Sequence, residues 1–491
     1  MLQDRLRTLL HKYNVAGPRY TSYPTVPAWT ESVGVADYRR SLKTLGGGER
    51  LSLYFHLPFC EKLCHFCGCM RVITADHNRS RPYVDTLLRE LDATVAELPE
   101  GVREVSQVHF GGGTPNFLQP EELTDILNRI RSHFQVIPEA EIAIEMHPRT
   151  STPAFCENLA TLGFNRISLG VQDFDPKVQE LINRHQTHAM TVEMVAMLRR
   201  LGFDSFNFDL IYGLPGQSIA GWEKTLAQTL ALRPNRLAVY SYAHVPWKSP
   251  VQRSFKDSDL PSPGMKLELF QRAYETFTKN GYRAIGMDHF ALEEDELSRA
   301  LDQGGIHRNF MGYSTQAEAH QLGFGVSAIS YVGGNYFQNL KELPDYENSI
   351  RSEGLASFRG YLLDRDDAIR RDLITRIMCR GSVEWPAFDA QWDLNHGEYF
   401  RENLPALEGF VADDLLESDA AGLRVKGEGF LFLRNIAMAF DRHLEGIRDQ
   451  ATTPTFSSSW SPGSPGSSIS SVFSSTTRNS RAKPRCAPPT R

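Results

Sequence analysis

Strand-like and helix-like segments alternate between residues 50 and 250, and this alternation constrains the fold more than any other feature of the chain. The strand-like segments are rich in β-branched and aromatic residues: LSLYFHLPF (51–59), EVSQVHFGGG (104–113), EIAIEMHP (141–148), RISLGVQDF (166–174), SFNFDLIYGLP (205–215) and RLAVYSYAHV (236–245). Stretches with helical periodicity lie between most of them, for example VDTLLRELDATVAEL (84–98). Such alternation predicts an α/β fold of βαβ units with parallel strands. The spacing alone fits a partial barrel and an open doubly wound sheet equally well.

Polar residues or glycines follow nearly every predicted strand. The carboxyl ends of parallel strands meet at one face of a barrel or an open sheet, and ligands bind at that face. We therefore expect one shared site built from the residues near these strand ends: Cys60, Gly112, Gly113, Thr114, Glu145, Gln172, Asp209 and Ala243.

The pattern changes beyond residue 250. Residues 251–364 begin with a predicted helix at 262–282 and continue as a loop-rich stretch, whereas residues 365–447 are predicted to be mainly helical. The last 41 residues are dominated by Ser, Thr and Pro and contain no Asp or Glu. Such a segment cannot bury enough apolar surface to offset the entropy of ordering, so we expect a disordered tail.

The composition excludes several classes of protein. Hydrophobic residues make up 41% of the 491 residues, charged residues make up 23%, and the formal net charge is -6. This composition is typical of a globular protein. The negative net charge means that the protein lacks the overall positive charge that attracts nucleic acid. No uninterrupted apolar run approaches the ~20 residues that span a bilayer, and the N-terminus lacks the apolar stretch of a signal peptide. We expect a cytoplasmic enzyme without a membrane span.

Four of the seven cysteines lie within ten residues, and Cys60, Cys64 and Cys67 have the spacing C-x3-C-x2-C. In a chain expected to be cytoplasmic, such a cluster indicates metal binding or redox chemistry rather than disulfides. Three thiolates on one short loop suit three irons of a cubane cluster and leave the fourth iron open. Zinc is the alternative, because Cys69 or His65 could complete a set of four ligands. We favour the iron–sulfur cluster because the chain has no second C-x2-C pair.

Several motifs occur in the order found in one known family. C-x3-C-x2-C on the loop after the first strand is the signature of radical S-adenosylmethionine (SAM) enzymes. The fuller string LSLYFHLPFCEKLCHFCGC closely resembles the oxygen-independent coproporphyrinogen III oxidases, also called coproporphyrinogen III dehydrogenases. The other matching segments are GPRYTSYPT (17–25), HFGGGTPNFL (109–118), GVQDF (170–174), DLIYGLPGQ (209–217), GMDHFA (286–291), RNFMGYSTQ (308–316), GFGVSAIS (323–330) and RNIAMAFD (434–441).

The resemblance covers about residues 10–447 and implies a partial (β/α)6-type radical SAM barrel with an N-terminal arm and a small, mainly helical C-terminal domain. By analogy with the family, the arm reaches over the active site, where it would shield a radical from solvent. The predicted regions are an N-terminal arm or lid (1–49), the partial barrel (50–250), a barrel extension with substrate-site loops (251–364), the helical C-terminal domain (365–447) and the disordered tail (448–491).

The resemblance also implies cofactors and the residues that hold them. Cys60, Cys64 and Cys67 would ligate a [4Fe–4S] cluster, and SAM would chelate the open iron and yield a 5′-deoxyadenosyl radical. The family holds two SAM molecules, and the residues implied for the first are Tyr54, Gly112, Glu145 and Ile329. Those implied for the second are Phe66, Gly113, Thr114, Gln172, Arg184, Asp209 and Ala243. Cys69 is not counted as a ligand, and we expect it to assist the reaction of the substrate.

The substrate that the resemblance implies is coproporphyrinogen III, whose ring A and B propionates would be oxidatively decarboxylated to vinyl groups to give protoporphyrinogen IX. Arg19 and Arg308 lie in family-like motifs and are candidates to bind propionates. The expected partners are a reductant protein and an electron acceptor, without nucleic acid, and we expect a monomer. The alternatives are a haem-trafficking paralogue that keeps the cluster and a radical SAM methyltransferase on the same scaffold.

Overall fold

Six parallel strands form the centre of a twelve-stranded sheet in the computed structural model, which describes residues 2–13, 15, 17–247, 249–315 and 320–446. These strands are β1 (Leu51–Leu57), β2 (Glu104–Gly112), β3 (Gln135–Met146), β4 (Arg166–Gln172), β5 (Phe206–Tyr212) and β6 (Arg236–Ser241). Each pairs in parallel with its neighbour along the chain. This sequential order is that of a (β/α) barrel, whereas a doubly wound sheet reverses direction beside its first strand. The partial barrel is therefore confirmed.

Six further strands extend the sheet at both edges. They are β7 (Tyr282–Ile285), β8 (His289–Leu292), β9 (His320–Phe324), β10 (Ile329–Val332), β11 (Asn335–Asn339) and β12 (Ser357–Tyr361). The full order is β12-β11-β10-β9-β1-β2-β3-β4-β5-β6-β8-β7. The antiparallel β7 and β8 continue the sheet beyond β6, and β9 pairs in parallel with β1.

The expectation of a loop-rich stretch after the helix of residues 262–282 was wrong. That stretch contains β9, β10 and a separate hairpin of His307–Asn309 with Gly312–Ser314. The strand β9 forms because Leu322 and Phe324 pair with β1, where the rings of Phe55 and Phe324 stack at 4.9 Å. The glycines that interrupt the local pattern conceal this strand, since its stability comes from a distant partner.

Helices connect most of the parallel strands, and further helices form the C-terminal region. The α-helices are Leu2–Lys12, Val35–Leu42, Ser80–Glu97, Pro120–His133, Pro153–Leu162, Pro176–Leu181, His188–Arg200, Ile219–Leu232, Pro263–Thr278, Glu296–Asp302, Leu343–Glu353, Arg365–Arg380, Trp385–Trp392, His396–Tyr399, Glu408–Ala412 and Leu433–Met438. Within the described ranges, none of these helices is both long and apolar enough to cross a bilayer. Side chains cap several of them, as where Thr187 accepts a hydrogen bond from the amide of Met190.

A second hydrophobic core contains residues from both ends of the described chain. The helix Arg365–Arg380 packs there with a small antiparallel sheet of Ser382–Glu384, Gly422–Val425 and Leu416–Ser418. Tyr20 lies in the same core, and its hydroxyl donates to Asp441 Oδ2 at 2.8 Å. The helical C-terminal region is thus present and includes one three-stranded sheet among the residues described.

The five predicted regions themselves stay a prediction. The tail (448–491) lies outside the described residues, as does Gln316 at the end of the RNFMGYSTQ segment.

A buried carboxylate joins the extension of the sheet to the barrel. Glu90, on the helix Ser80–Glu97, accepts hydrogen bonds from the amide of Gly325 at 2.7 Å, from Asn339 Nδ2 at 2.6 Å and from the Tyr346 hydroxyl at 2.7 Å. Burial raises the pKa of Glu90 to about 7, although these donors oppose the rise. Hydrogen bonds to a buried group of this kind contribute more to stability than exposed ones.

We expect Tyr346→Phe to lower the free energy of unfolding by roughly 1.5–3 kcal/mol, because it removes one donor from a buried acceptor. Urea denaturation followed by circular dichroism measures the change. The control is Tyr274→Phe, on the half-buried face of the helix Pro263–Thr278, which should change stability by less than about 0.5 kcal/mol. Equal midpoints for the wild type and Tyr346→Phe would show that Glu90 does not depend on this donor.

Candidate active site

The three predicted cysteine ligands lie on a loop that leaves the carboxyl end of β1 and returns beside it. Backbone hydrogen bonds close the base of the loop, from Val72 N to Pro58 O at 2.7 Å and from Thr74 N to Cys60 O at 2.9 Å. A neighbouring segment supports the middle of the loop, where Asn183 Nδ2 donates to the carbonyl of Leu63 at 2.8 Å. The loop is thus held at both its base and its middle by contacts that do not use the thiols.

A pocket of about 210 Å³ opens beside this loop, and we call it the cysteine pocket. All but three of the predicted site residues line it: Cys60, Cys64, Phe66, Cys67, Cys69, Gly112, Gly113, Thr114, Glu145, Gln172, Arg184 and Asp209. Gly112 and Gln172 end β2 and β4, Glu145 lies one residue before the end of β3, and Asp209 lies in the middle of β5. The geometry of the parallel sheet brings these residues together.

The other three predicted residues, Tyr54, Ile329 and Ala243, lie outside the lining of the cysteine pocket. The Tyr54 ring stacks on His109 with centroids 6.0 Å apart, and His109 Nε2 lies 3.2 Å from Glu145 Oε1. The side chain of His109 therefore lies between Tyr54 and Glu145, which lines the pocket. Ala243 lines a separate, larger cavity.

Ile329 is close to Tyr54 through one intervening residue. Gly323 is the register partner of Tyr54 in the pairing of β9 with β1. A Cβ atom on Gly323 would lie 2.4 Å from the carbonyl oxygen of Ile329, so the backbone of Ile329 packs directly against this glycine. Tyr54 and Ile329 therefore lie on opposite sides of Gly323, on the two strands that flank β9.

The glycines after β2 are required by the way their backbone approaches the cysteine loop. Gly112 has a φ of +115°, a conformation that L side chains rarely adopt. A Cβ atom on Gly113 would lie 2.5 Å from the carbonyl oxygen of Pro58, at the start of the loop. The amide of Gly113 also donates to the carbonyl of Leu57 at 2.8 Å. Only glycine allows the two walls of the pocket to approach this closely.

The thiols differ in their electrostatic surroundings. Burial raises the pKa of Cys60 to about 11, and its sulfur lies 3.2 Å from Thr114 Oγ1. A hydrogen bond with Cys69 lowers the pKa of Cys67 to about 6, while that of Cys69 is raised. Arg184 Nη1 donates to Cys64 Sγ at 3.7 Å. The pocket therefore offers a cation and hydrogen-bond donors to thiolates.

The two carboxyl groups of the pocket are held in different states. Burial disfavours the ionised form of Glu145, but the hydrogen bond and charge of His109 together with the amide of Gly112 and the charge of His56 outweigh it, so the pKa of Glu145 is lowered. Burial raises the pKa of Asp209 to about 7, and the nearby Glu145 charge adds to the rise. At neutral pH Glu145 is thus ionised, whereas Asp209 is partly protonated.

The donor set fits a cubane cluster and a polar ligand. Within the described part of the chain, no three His, Cys, Asp or Glu side chains converge closely enough to hold a single metal ion. A cubane does not require such convergence, because each thiolate binds a different iron. Two buried polar atoms of the pocket, Gln172 Oε1 and Arg184 Nε, have no hydrogen-bond partner among the described residues. They are groups that a ligand would satisfy.

Sequence reasoning missed other residues of the cysteine pocket, including Arg71, His147 and Arg149. Arg149 Nη2 lies 3.2 Å from Glu61 Oε2, so it ties the end of β3 to the cysteine loop. Its place directly after β3 was a usable signal, because the residues after parallel strands share one face. No comparable signal marks Arg71.

The two arginines suggested as propionate ligands have different surroundings. Arg308 is buried between Asp288, at 3.5 Å, and the ring of Tyr313, whose centroid is 4.4 Å away. Its side chain is 3% exposed, so Arg308 is already engaged within the protein. Arg19 instead lines the larger cavity that contains Ala243.

A three-cysteine loop at the end of the first strand of a parallel partial barrel defines a radical SAM protein. The model of the Radical SAM superfamily matches residues 54–228, and the model of the HemN C-terminal domain matches residues 363–432. This membership favours the [4Fe–4S] cluster and SAM over zinc.

Relatives identify the family within that superfamily. Oxygen-independent coproporphyrinogen III oxidase of Escherichia coli is 43% identical over 91% of this chain and 97% of the relative. The enzyme of the same name from Pseudomonas aeruginosa is 42% identical over 90% of this chain and 96% of the relative. The solved structure of coproporphyrinogen III oxidase (HemN) from Escherichia coli, a radical SAM enzyme, matches with a TM-score of 0.85 and 41% identity, covering 89% of this chain and 99% of that one. The chain belongs to the oxygen-independent coproporphyrinogen III oxidase family.

Proposed function

We propose that this protein oxidatively decarboxylates the ring A and B propionates of coproporphyrinogen III to vinyl groups, giving protoporphyrinogen IX. After hydrogen abstraction, each propionate loses CO2 and passes one electron to an external electron acceptor. The observation that carries the proposal is the cysteine pocket, in which the three-cysteine loop, the glycine turn and Arg184 meet. It occurs in a chain that is 43% identical to a coproporphyrinogen III oxidase over nearly its whole length. When bound, the cluster and SAM supply a 5′-deoxyadenosyl radical that abstracts hydrogen from the substrate.

Cys60, Cys64 and Cys67 would bind three irons of the cluster. The loop is anchored through its backbone and through Asn183, so the thiols are presented without depending on one another. Arg184, near Cys64 Sγ, stabilises negative charge on the sulfur. The chain's contribution to this step is to hold the thiolates and to leave one iron open.

Two groups of residues are suited to two SAM molecules. For the first, ionised Glu145 accepts from an ammonium group, while Tyr54 and Ile329 lie on the two strands that flank β9. For the second, Arg184 would pair with a carboxylate, and Asp209 would bind ribose hydroxyls. Support for the second group comes from the unpaired Arg184 Nε and Gln172 Oε1, which face a pocket with room for a polar ligand.

Anaerobic reconstitution tests the proposed function. The protein is loaded with iron and sulfide and supplied with SAM, a strong reductant and coproporphyrinogen III, and the tetrapyrrole products are separated by chromatography. We expect a monovinyl intermediate followed by protoporphyrinogen. Bound haem without turnover would support a haem-trafficking protein instead, and a methylated product would support a methyltransferase; either result contradicts the proposal.

Replacement of Cys69 tests whether this residue is a ligand of the cluster or takes part in the reaction of the substrate. If three thiolates and SAM complete the cluster, we expect Cys69→Ala to keep four irons per cluster and its absorption spectrum, while vinyl product falls by about tenfold or more. Iron content, thermal stability and product are measured on the same preparation. Loss of the cluster would make Cys69 a ligand, and turnover at the wild-type rate would mean that Cys69 has no role in the reaction.

Other aspects of the sequence analysis stay predictions. They are the reductant protein, the electron acceptor, the monomeric state and the cytoplasmic location. The lid function of the N-terminal arm also belongs here, although Arg19 of this arm lines a cavity at the strand ends.

A further inference from the structure

A second cavity, of about 480 Å³, lies at the ends of β5 and β6 and is larger than the cysteine pocket. Three cationic side chains line it, those of Arg19, Lys266 and Arg434, and we call it the cationic cavity. Aromatic residues, among them Tyr212 and Phe270, form part of its wall. Cavities of this size with apolar walls and a few charged groups are typical of small-molecule sites.

The charge of this cavity is unbalanced. Two carboxylates line the cavity, those of Asp288 and Glu268. The Asp288 carboxylate accepts a hydrogen bond from His289 at 2.7 Å, and it lies 3.5 Å from the guanidinium of Arg308 and 3.6 Å from that of Arg19. Glu268 pairs with an exposed arginine outside the cavity, at 3.1 Å. Arg308 and an exposed arginine, neither of which lines the cavity, each pair with one of these carboxylates, and Arg19 shares Asp288 with Arg308.

Lys266 is costly to keep charged in this position. Lys266 Nζ donates to the backbone carbonyl of Tyr242 at 2.6 Å rather than to a carboxylate. Burial lowers the pKa of Lys266 to about 8, and the charge of Arg19 contributes. Burial also lowers the pKa of Arg434. Cations that are desolvated together and repel one another gain most from a negatively charged ligand.

One segment connects the cationic cavity to the cysteine loop. Ala243 lines the cationic cavity. A few residues further along this segment, Gln252 Nε2 donates to the carbonyl of Phe66 at 3.2 Å, and Ser249 Oγ donates to the carbonyl of Cys67 at 3.4 Å. A ligand in the cationic cavity would thus lie next to the wall that supports the cysteines.

We propose that the cationic cavity binds carboxylates of the substrate propionates that are not reacting, with Lys266 and Arg434 as the charged ligands and Arg19 at the N-terminal side. This inference rests on the proposed function. A tetrapyrrole with four propionates keeps several carboxylates to be bound while one side chain reacts, and its pyrrole rings suit the aromatic wall. Charge-assisted hydrogen bonds from Lys266 and Arg434 would fix which propionate faces the radical.

Binding of coproporphyrin III, the stable oxidised analogue, tests this inference on the full-length, cluster-loaded protein under anaerobic conditions. The variants are Lys266→Met, Arg434→Gln and the charge reversal Lys266→Glu. Matched controls are Lys224→Met and Arg200→Gln, two exposed cations on the outer helices. A second probe, the tetramethyl ester of coproporphyrin III, keeps the ring and removes the charges. Cluster absorbance and melting temperature show whether each variant is folded.

We expect the Kd for coproporphyrin III to rise about tenfold in Lys266→Met and in Arg434→Gln, and further in Lys266→Glu. The controls should stay within about twofold, and binding of the ester should not respond to the substitutions. Wild-type binding and turnover with unchanged Kd values in folded Lys266 variants would overturn the inference and leave the proposed function intact. A wild-type protein that cleaves SAM yet neither binds coproporphyrin III nor converts coproporphyrinogen III would overturn both.

Discussion

Replacement of Cys60, Cys64 or Cys67 by alanine is expected to abolish the absorption of the [4Fe–4S] cluster, SAM cleavage and vinyl formation together. Each substitution removes one of three protein ligands, and a cubane bound by two thiolates loses the iron that the third one held. The thiols lie on a loop whose base is closed by backbone hydrogen bonds, so the chain should remain folded. Iron analysis and electron paramagnetic resonance of the reconstituted variants provide the measurement.

Cys156→Ala is the matched control for this loss. Cys156 is a buried thiol whose sulfur contacts Met194 at 4.0 Å, in the core rather than at the pocket. We expect its cluster to match that of the wild type, with a modest loss of stability of about 1 kcal/mol. A full cluster spectrum in Cys60→Ala, Cys64→Ala or Cys67→Ala would refute the ligand assignment.

Gly113→Ala is expected to weaken the binding of SAM strongly. The added Cβ would lie 2.5 Å from Pro58 O and 2.8 Å from Phe59 O, and both are backbone atoms that cannot rotate away. The loop must shift, at a cost of roughly 1–3 kcal/mol, and the thiols shift with it. We expect SAM binding, measured by equilibrium dialysis, to weaken at least about tenfold.

Gly68→Ala adds the same methyl group within the cysteine loop itself. A Cβ at Gly68 would meet no atom within 4 Å, so this variant should keep the cluster and bind SAM as the wild type does. Equal affinities for SAM in the two variants would mean that the close approach of Gly113 to Pro58 does not shape the site.

Local patterns were sufficient to predict the centre of the fold. The six parallel strands were recognised because each contains a short run of β-branched and aromatic residues followed by a turn. The order of these strands was not predictable from their spacing, and the pairing of β1 with β2 and β9 decided it. The strand β9 was missed because it pairs with a segment far away in sequence, and no local rule reports such a partner.

Some residues of the candidate site were likewise predictable from local sequence, and others were not. The C-x3-C-x2-C spacing and the polar residues and glycines of β2 to β5 pointed to the cysteine pocket, since parallel strands bring their ends together. Tyr54 and Ile329 were predicted from the resemblance alone. In the structure, both residues contact Gly323 of β9, which lies between them. Arg434 begins the family-like segment RNIAMAFD, but nothing in the sequence links it to Lys266, because the two lie on separate helical segments and meet only in the folded chain.

Substrate labelled with deuterium at the β-carbons of the ring A and B propionates tests the central claim most directly. If this protein abstracts a propionate β-hydrogen from coproporphyrinogen III, turnover with unlabelled SAM must place deuterium in 5′-deoxyadenosine, while the labelled positions become vinyl carbons. Mass spectrometry of 5′-deoxyadenosine after a single turnover gives the answer. Incorporation that parallels vinyl formation is the predicted result, and unlabelled 5′-deoxyadenosine accompanying vinyl product would contradict the proposed reaction.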